Sequence, residues 1–221
     1  MKTIVFYSVK GEVGRTLALY HMALSLRRRN ENVVMLDWDY SAPGLSYKCK
    51  LPEERRSGYL EYLMRYDTKA RADDREPGKR DRLESLKANA HEIFPEAREE
   101  RKGRLWLIPA GDDSTQAYWE FLSSFRFHRL FYFGYNEVKG LTPEAFPLKW
   151  LELNRHAFKN DKALIEQAFE PDYLLVDCKT SLEESTGIAV LLWADSMAHF
   201  LPGNLEGLKY LADTAQAIPG Y

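Results

Sequence analysis

Between Val9 and Leu17 the chain reads VKGEVGRTL, a stretch combining two glycines, two basic residues and a threonine. Gly11 and Gly14 allow the backbone to approach a ligand closely. Arg15 carries a permanent charge, and Thr16 offers a hydroxyl to a divalent cation at the start of a helix-like run. A strand-to-helix turn of this kind wraps an anion, because successive backbone N–H groups point inward and the helix adds the positive end of its dipole. The chemistry it suits is the binding of a phosphate chain. The strict pattern G-x-x-x-x-G-K-[ST] fails at two places: Val9 stands at the first glycine and Arg15 at the lysine. By itself such a turn is also an ordinary strand-to-helix connection.

Three carboxylates change that balance. Asp37 and Asp39 close the apolar run NVVMLDWD, and Asp177 closes DYLLVD. The C-terminal ends of parallel strands gather at one sheet edge, where ligands bind. The spacing therefore predicts that Asp37, Asp39, Asp177 and Thr16 converge beside the loop and suit Mg²⁺. Each carboxylate alone reads equally well as a turn or capping residue.

The elements that must position these groups alternate as a parallel sheet requires. Strand character is predicted over Thr3 to Val9, Asn32 to Asp39, Leu105 to Gly111, Asp172 to Asp177 and the run SMAHFLP. Helices are predicted over Thr16 to Arg29, the run SLEESTGIAVLLWA and the run NLEGLKYLADTAQA. Arg27, Arg28 and Arg29 close the first helix and complement its negative end. From Leu51 to Gly103 the chain is dense in charge and reads as a charged, helical insertion of exposed or mobile character. Thr115 to Glu170 reads as a long helical region whose Trp119, Phe121, Phe125, Phe127 and Phe131 belong to the core. Asp112 and Asp113 are expected to cap it together with Ser114. The whole is read as one α/β domain over 1–221 with the insertion at 51–103.

Composition narrows the function. With 45% hydrophobic residues in 221, one sizeable core is available. A net charge of −2 argues against broad nucleic-acid binding, which needs a basic face. Two cysteines, Cys49 and Cys178, are too few for a disulfide framework and fit a reducing, cytoplasmic setting. Cys178 lacks a neighbouring histidine and reads as a buried structural thiol. The five histidines do not pair with cysteine or carboxylate at zinc-ligand spacing. The opening MKTIVFYSVK is read as a buried strand, since no small-residue cleavage site follows its short apolar run. No run approaches the roughly 20 apolar residues of a membrane span. A dinucleotide-binding oxidoreductase is disfavoured because G-x-G-x-x-G is absent.

Taken together, Lys10-Gly11-Glu12-Val13-Gly14-Arg15-Thr16, VVMLDWDYSAPGLS and DYLLVDCKTS resemble the ParA/MinD-type P-loop ATPases with a deviant Walker A motif, most nearly their KGGVGRT subgroup. LWLIPAG and LPGNLEGL resemble that subgroup as well. The resemblance covers both ends of the chain and hardly the 51–103 segment. It implies an α/β fold of the SIMIBI-like P-loop NTPase kind, a mostly parallel sheet with helices on both faces. It further implies ATP and Mg²⁺ as cofactors, with Lys10, Gly11, Glu12, Val13, Gly14, Arg15, Thr16 and Leu17 forming the nucleotide loop. By the same resemblance, Lys10 reaches across a nucleotide-dependent homodimer to the partner's phosphates, and Arg15 contacts the β- and γ-phosphates of its own subunit. Thr16 binds Mg²⁺ directly, Asp37 and Asp177 hold it through water, and Asp39 orients or deprotonates the attacking water. Cys178 to Ser181 becomes a switch, and a further, unidentified protein reads it. Two departures stand out. Glu12 replaces a loop glycine, placing a carboxylate beside a triphosphate, with Lys10 and Arg15 as candidate neutralisers. Family members also continue past the last helix with strands that help hold the base. A switch ATPase and a degenerate, non-hydrolysing scaffold or regulatory subunit are both compatible with these residues.

Overall fold

Lys2–Ser8 (β1) buries six of its seven residues, and Val33–Trp38 (β2) buries all six. Continuous burial of this kind marks strands covered on both faces, as parallel sheets are. Tyr173–Cys178 (β5) lies between them, parallel to both. With His91–Glu92 (β3), Leu105–Ile108 (β4) and Ser196–Phe200 (β6), the sheet has the order β3-β4-β2-β5-β1-β6. All pairings are parallel except β3 with β4. The structure, a computed structural model, describes residues 1–65, 79–95, 103–124, 160–180 and 184–217.

Alternation along the strands divides the core in two. Ile4, Phe6, Val33, Met35 and Leu175 face Leu19 and Ala23 of helix α1, Arg15–Arg28. Val5, Val34, Leu36, Trp38, Leu174 and Val176 face the other way. There they meet Tyr59, Leu60, Tyr62 and Leu63 from the helical segment 59–65, and Leu164 and Ile165 from the helical segment 160–169. By the same parity Asp37 and Asp177 belong to the α1 face. Helices on both faces of a mostly parallel sheet give the α/β class expected from the strand–helix alternation.

Several elements differ from expectation. The 51–103 segment is not all exposed: Tyr59, Leu60, Tyr62, Leu63, Leu86 and Ile93 are buried. The segment also contributes the edge strand β3 and the helix Lys79–Ala88. Its few apolar residues are concentrated where they touch the sheet, a pattern that average charge conceals. The predicted helix at 181–194 is a short α-helix, Glu184–Ile188, widening into a π-helical turn over Ala189–Trp193. In the helix Gln116–Ser124, Tyr118 rather than Trp119 is the core aromatic: Tyr118 is buried and its hydroxyl donates to the Tyr40 carbonyl at 2.7 Å. Trp119 is 46% exposed and donates its indole N–H to the Asp113 carbonyl. The cap of this helix is Thr115, whose hydroxyl accepts from Tyr118 N–H at 3.2 Å, while Asp112 accepts from Ser114. Phe125, Phe127 and Phe131 lie outside the described residues.

Candidate phosphate and cation site

The register of the sheet places the acids. Asp37 and Asp177 are direct partners across β2 and β5, at the C-terminal ends of both strands. Both are buried, as is Asp39 in the turn that follows β2. Asp37 is held by three backbone N–H groups. Its Oδ2 accepts from Gly44 and Leu45 at 3.0 Å each, and its Oδ1 from Asp39 at 3.2 Å. These bonds fix the start of the short helix Leu45–Lys48 against the sheet edge. Thr16 packs against this turn, since a Cβ on Gly44 would lie 3.2 Å from its Cγ2.

Arg15 enters the same cluster from the first turn of α1. Its Nε donates to Asp177 Oδ1 at 2.5 Å, one terminal nitrogen to Asp39 Oδ2 at 3.1 Å, and the other to Ser8 Oγ at 3.3 Å. The guanidinium is buried, which works against its charge, but Asp177 and Asp39 hold its pKa up. Burial pushes the Asp37 carboxyl up to about 8, the Asp177 charge adding to this and the Leu45 and Asp39 N–H groups opposing it. Burial also raises Asp177, against the charge of Arg15 and the hydrogen bonds from Thr16 and Arg15. Asp177 Oδ2 has no hydrogen-bond partner despite its burial. An orphaned carboxylate oxygen beside a threonine hydroxyl fits a divalent cation or its water shell. Asp37, with both oxygens already accepting N–H groups, fits contact through water rather than direct ligation. As they stand, the described residues form no three-membered His/Cys/Asp/Glu group placed to hold a bare ion.

The loop itself follows β1. Glu12 has φ 62° and Gly14 has φ 81°, both left-handed, with Gly14 at the N-cap of α1. Backbone turned in this way forms a concave run of N–H groups. Among the described residues, none of the N–H groups of Gly11 to Thr16 donates to a protein acceptor.

No protein-family profile and no curated protein matches the chain. Solved structures do. A putative plasmid partition protein from Borrelia burgdorferi, bound to AMPPNP, superposes with TM-score 0.58 at 15% identity, covering 97% of this chain and 68% of that one. The pNOB8 ParA structure gives TM-score 0.56 at 17% identity, covering 100% and 58%. Cobyrinic acid a,c-diamide synthase from Mycobacterium smegmatis, with bound ADP and magnesium, gives 0.56 at 15%, covering 98% and 67%. The chain has the ParA/MinD-type P-loop ATPase fold. It spans between 58% and 68% of these three neighbours.

On this ParA/MinD-type scaffold the expected residues divide into groups. Arg15, Thr16, Asp37, Asp39 and Asp177 come together at the sheet edge. Gly11, Glu12 and Gly14 are exposed in the loop, Val13 is half-buried, and Leu17 is 45% exposed on the first turn of α1. Lys10 points elsewhere: its Nζ lies 2.7 Å from Glu206 and 5.6 Å from the centroid of the Tyr210 ring, on the helix Leu205–Ala217. Glu12 pairs with neither candidate neutraliser, because Lys10 and Arg15 are engaged with other acids. Burial, with the Asp177 charge, pushes the Cys178 thiol well up, as a structural cysteine requires. Sequence reasoning missed Ser8, Glu206, Tyr210 and the Gly44–Leu45 amides. The DWDYSAPGL spacing carries a signal for the amides, since a carboxylate eight residues before a helix start can cap it. Nothing local links Lys10 to a helix nearly 200 residues away.

Proposed function

We propose that this protein is a nucleotide-dependent switch that binds ATP with Mg²⁺ in the loop from Lys10 to Leu17, hydrolyses it slowly as a homodimer and signals to a partner protein. The carrying observation is the set of N–H groups from Gly11 to Thr16 that, among the described residues, have no protein acceptor, together with buried Asp37 and Asp177 on adjacent strand ends and buried Asp39 in the turn after β2. Amides and helix dipole bind the phosphates, while Thr16 and Asp177 would hold a divalent cation, with Asp37 available to it through water. Bound there, such a cation would supply counter-charge for the phosphates. Asp39 orients the attacking water and accepts its proton. Lys10, released from Glu206, places its charge on the phosphates of the second subunit. The magnesium and AMPPNP or ADP of the structural neighbours support the choice of ligand. The free cysteines suit a reducing cytoplasm.

A second reading, a non-hydrolysing scaffold of the same fold, is favoured by Glu12, an acid at a left-handed position of the phosphate loop. Phosphate release by the native chain, Lys10→Ala and Glu12→Gly separates the two. Turnover that Lys10→Ala abolishes supports the ATPase. A silent native chain that Glu12→Gly awakens supports the scaffold.

A further inference from the structure

Arg15 stands where a cation would. Its guanidinium spends its hydrogen bonds on Asp177, Asp39 and Ser8, inside a cluster in which all these side chains are buried. We propose that Arg15 is a gate on the cation site: it keeps divalent metal out until the phosphates of a nucleotide draw the guanidinium away, so that metal enters with or after nucleotide and not before. The proposal rests on the reading of the loop as a nucleotide site.

Asp177 offers Oδ1 to Arg15 and leaves Oδ2 buried without a partner. That oxygen and the Thr16 hydroxyl form a partial cation site. A divalent ion placed there would sit a few ångströms from a buried guanidinium, where low local polarity magnifies repulsion between like charges. Metal alone therefore has to displace Arg15 from its bonds to Asp177, Asp39 and Ser8. A polyphosphate supplies what is missing. Its oxygens, cradled by the N–H groups of Gly11 to Thr16, present a planar guanidinium with a bidentate acceptor of higher charge than two carboxylates already shared with Ser8. Once Arg15 turns to the phosphates, Asp39 and Asp177 are left buried and uncompensated, and this drives the cation in. An adenine nucleotide without β- and γ-phosphates lacks the charge to open the gate. Lysine, the usual residue at this position, has one compact ammonium and cannot hold Asp177, Asp39 and Ser8 at once with fixed geometry. The gate is thus a property of the arginine in this chain.

The test follows the Nε–H resonance of Arg15 in the native protein, assigned by its loss in Arg15→Lys. Millimolar magnesium alone is expected to leave it in place, AMP to leave it in place, and ATP in EDTA to shift it. Paramagnetic resonance of manganese without nucleotide is the companion measurement. The native chain is expected to bind it at least about tenfold more weakly than Arg15→Ala, and Arg15→Ala/Asp177→Asn is expected to lose that gain. A resonance moved by magnesium alone, or equal manganese affinity in native chain and Arg15→Ala, overturns the gate while a response to ATP leaves the nucleotide site standing. No response to ATP with or without magnesium overturns both. If Arg15→Ala does not fold, the native resonance decides alone.

Discussion

Glu12 holds φ at 62° in an exposed loop, a conformation in which an L side chain is strained. The left-handed penalty of about 1–2 kcal/mol outweighs the extra unfolded-state entropy of glycine, about 0.5–1 kcal/mol. Glu12→Gly is therefore expected to stabilise the chain by about 0.5–1 kcal/mol, read as a higher urea midpoint with an unchanged slope; a lower midpoint would show that Glu12 makes a stabilising contact. Gly14 presents the converse case. Nothing crowds its missing Cβ, but φ is 81°, so Gly14→Ala is expected to cost about 1 kcal/mol through backbone strain alone. The Lys10–Glu206 pair is half-exposed and contributes little to stability. Glu206→Gln should leave the melting temperature within a degree or two and raise turnover by freeing Lys10; an unchanged rate would argue that this contact does not restrain the lysine.

At the scale of elements, the 51–103 segment is tied to the body by buried polar contacts that its sequence does not advertise. Asp161, in the segment 160–169, accepts from Tyr59 at 2.5 Å, from Tyr62 at 2.8 Å and from Arg82 in the helix Lys79–Ala88. All four side chains are buried. Asp161→Asn breaks this buried Arg82–Asp161 ion pair and is expected to destabilise by about 3–5 kcal/mol. A loss below about 1 kcal/mol in chemical denaturation would mean that water reaches Arg82. Gly58 and Gly103 mark close backbone approaches beside this segment. A Cβ at Gly58 would overlap the Pro109 carbonyl oxygen, and one at Gly103 the Glu31 carbonyl oxygen. Neither obstacle is a flexible side-chain end, so either alanine variant must displace a strand-end turn.

For the whole molecule, the buried acid Asp37 at the sheet edge contributes to how stability varies with pH. Asp37 is raised to about 8 in the folded chain from 3.8. A group raised on folding contributes stability that is complete below its unfolded value and lost as pH rises through its folded one. Metal-free protein in EDTA is thus expected to lose stability steadily between about pH 4 and pH 8 on account of Asp37, and Asp37→Asn to flatten that slope. A native slope of opposite sign over this range would contradict it. Much of this molecule was legible before its structure. Apolar runs ending in Asp, alternating with helical periodicity, determine a parallel sheet, because only strands covered on both faces are apolar throughout and only their C-terminal ends collect acids. That reasoning placed Asp37, Asp177, Thr16 and the loop at one edge. It also misread the 51–103 segment, where average charge hid Tyr59, Tyr62 and Leu86, and it took Trp119 for a core residue in place of Tyr118. Where charged side chains turn was decided in three dimensions alone. Arg15 closing on Asp39 and Asp177, and Lys10 reaching Glu206, depend on which groups of opposite sign lie within a few ångströms after folding, and the Arg15–Asp177 and Lys10–Glu206 pairings, each across more than 160 residues, leave no period or motif in the chain.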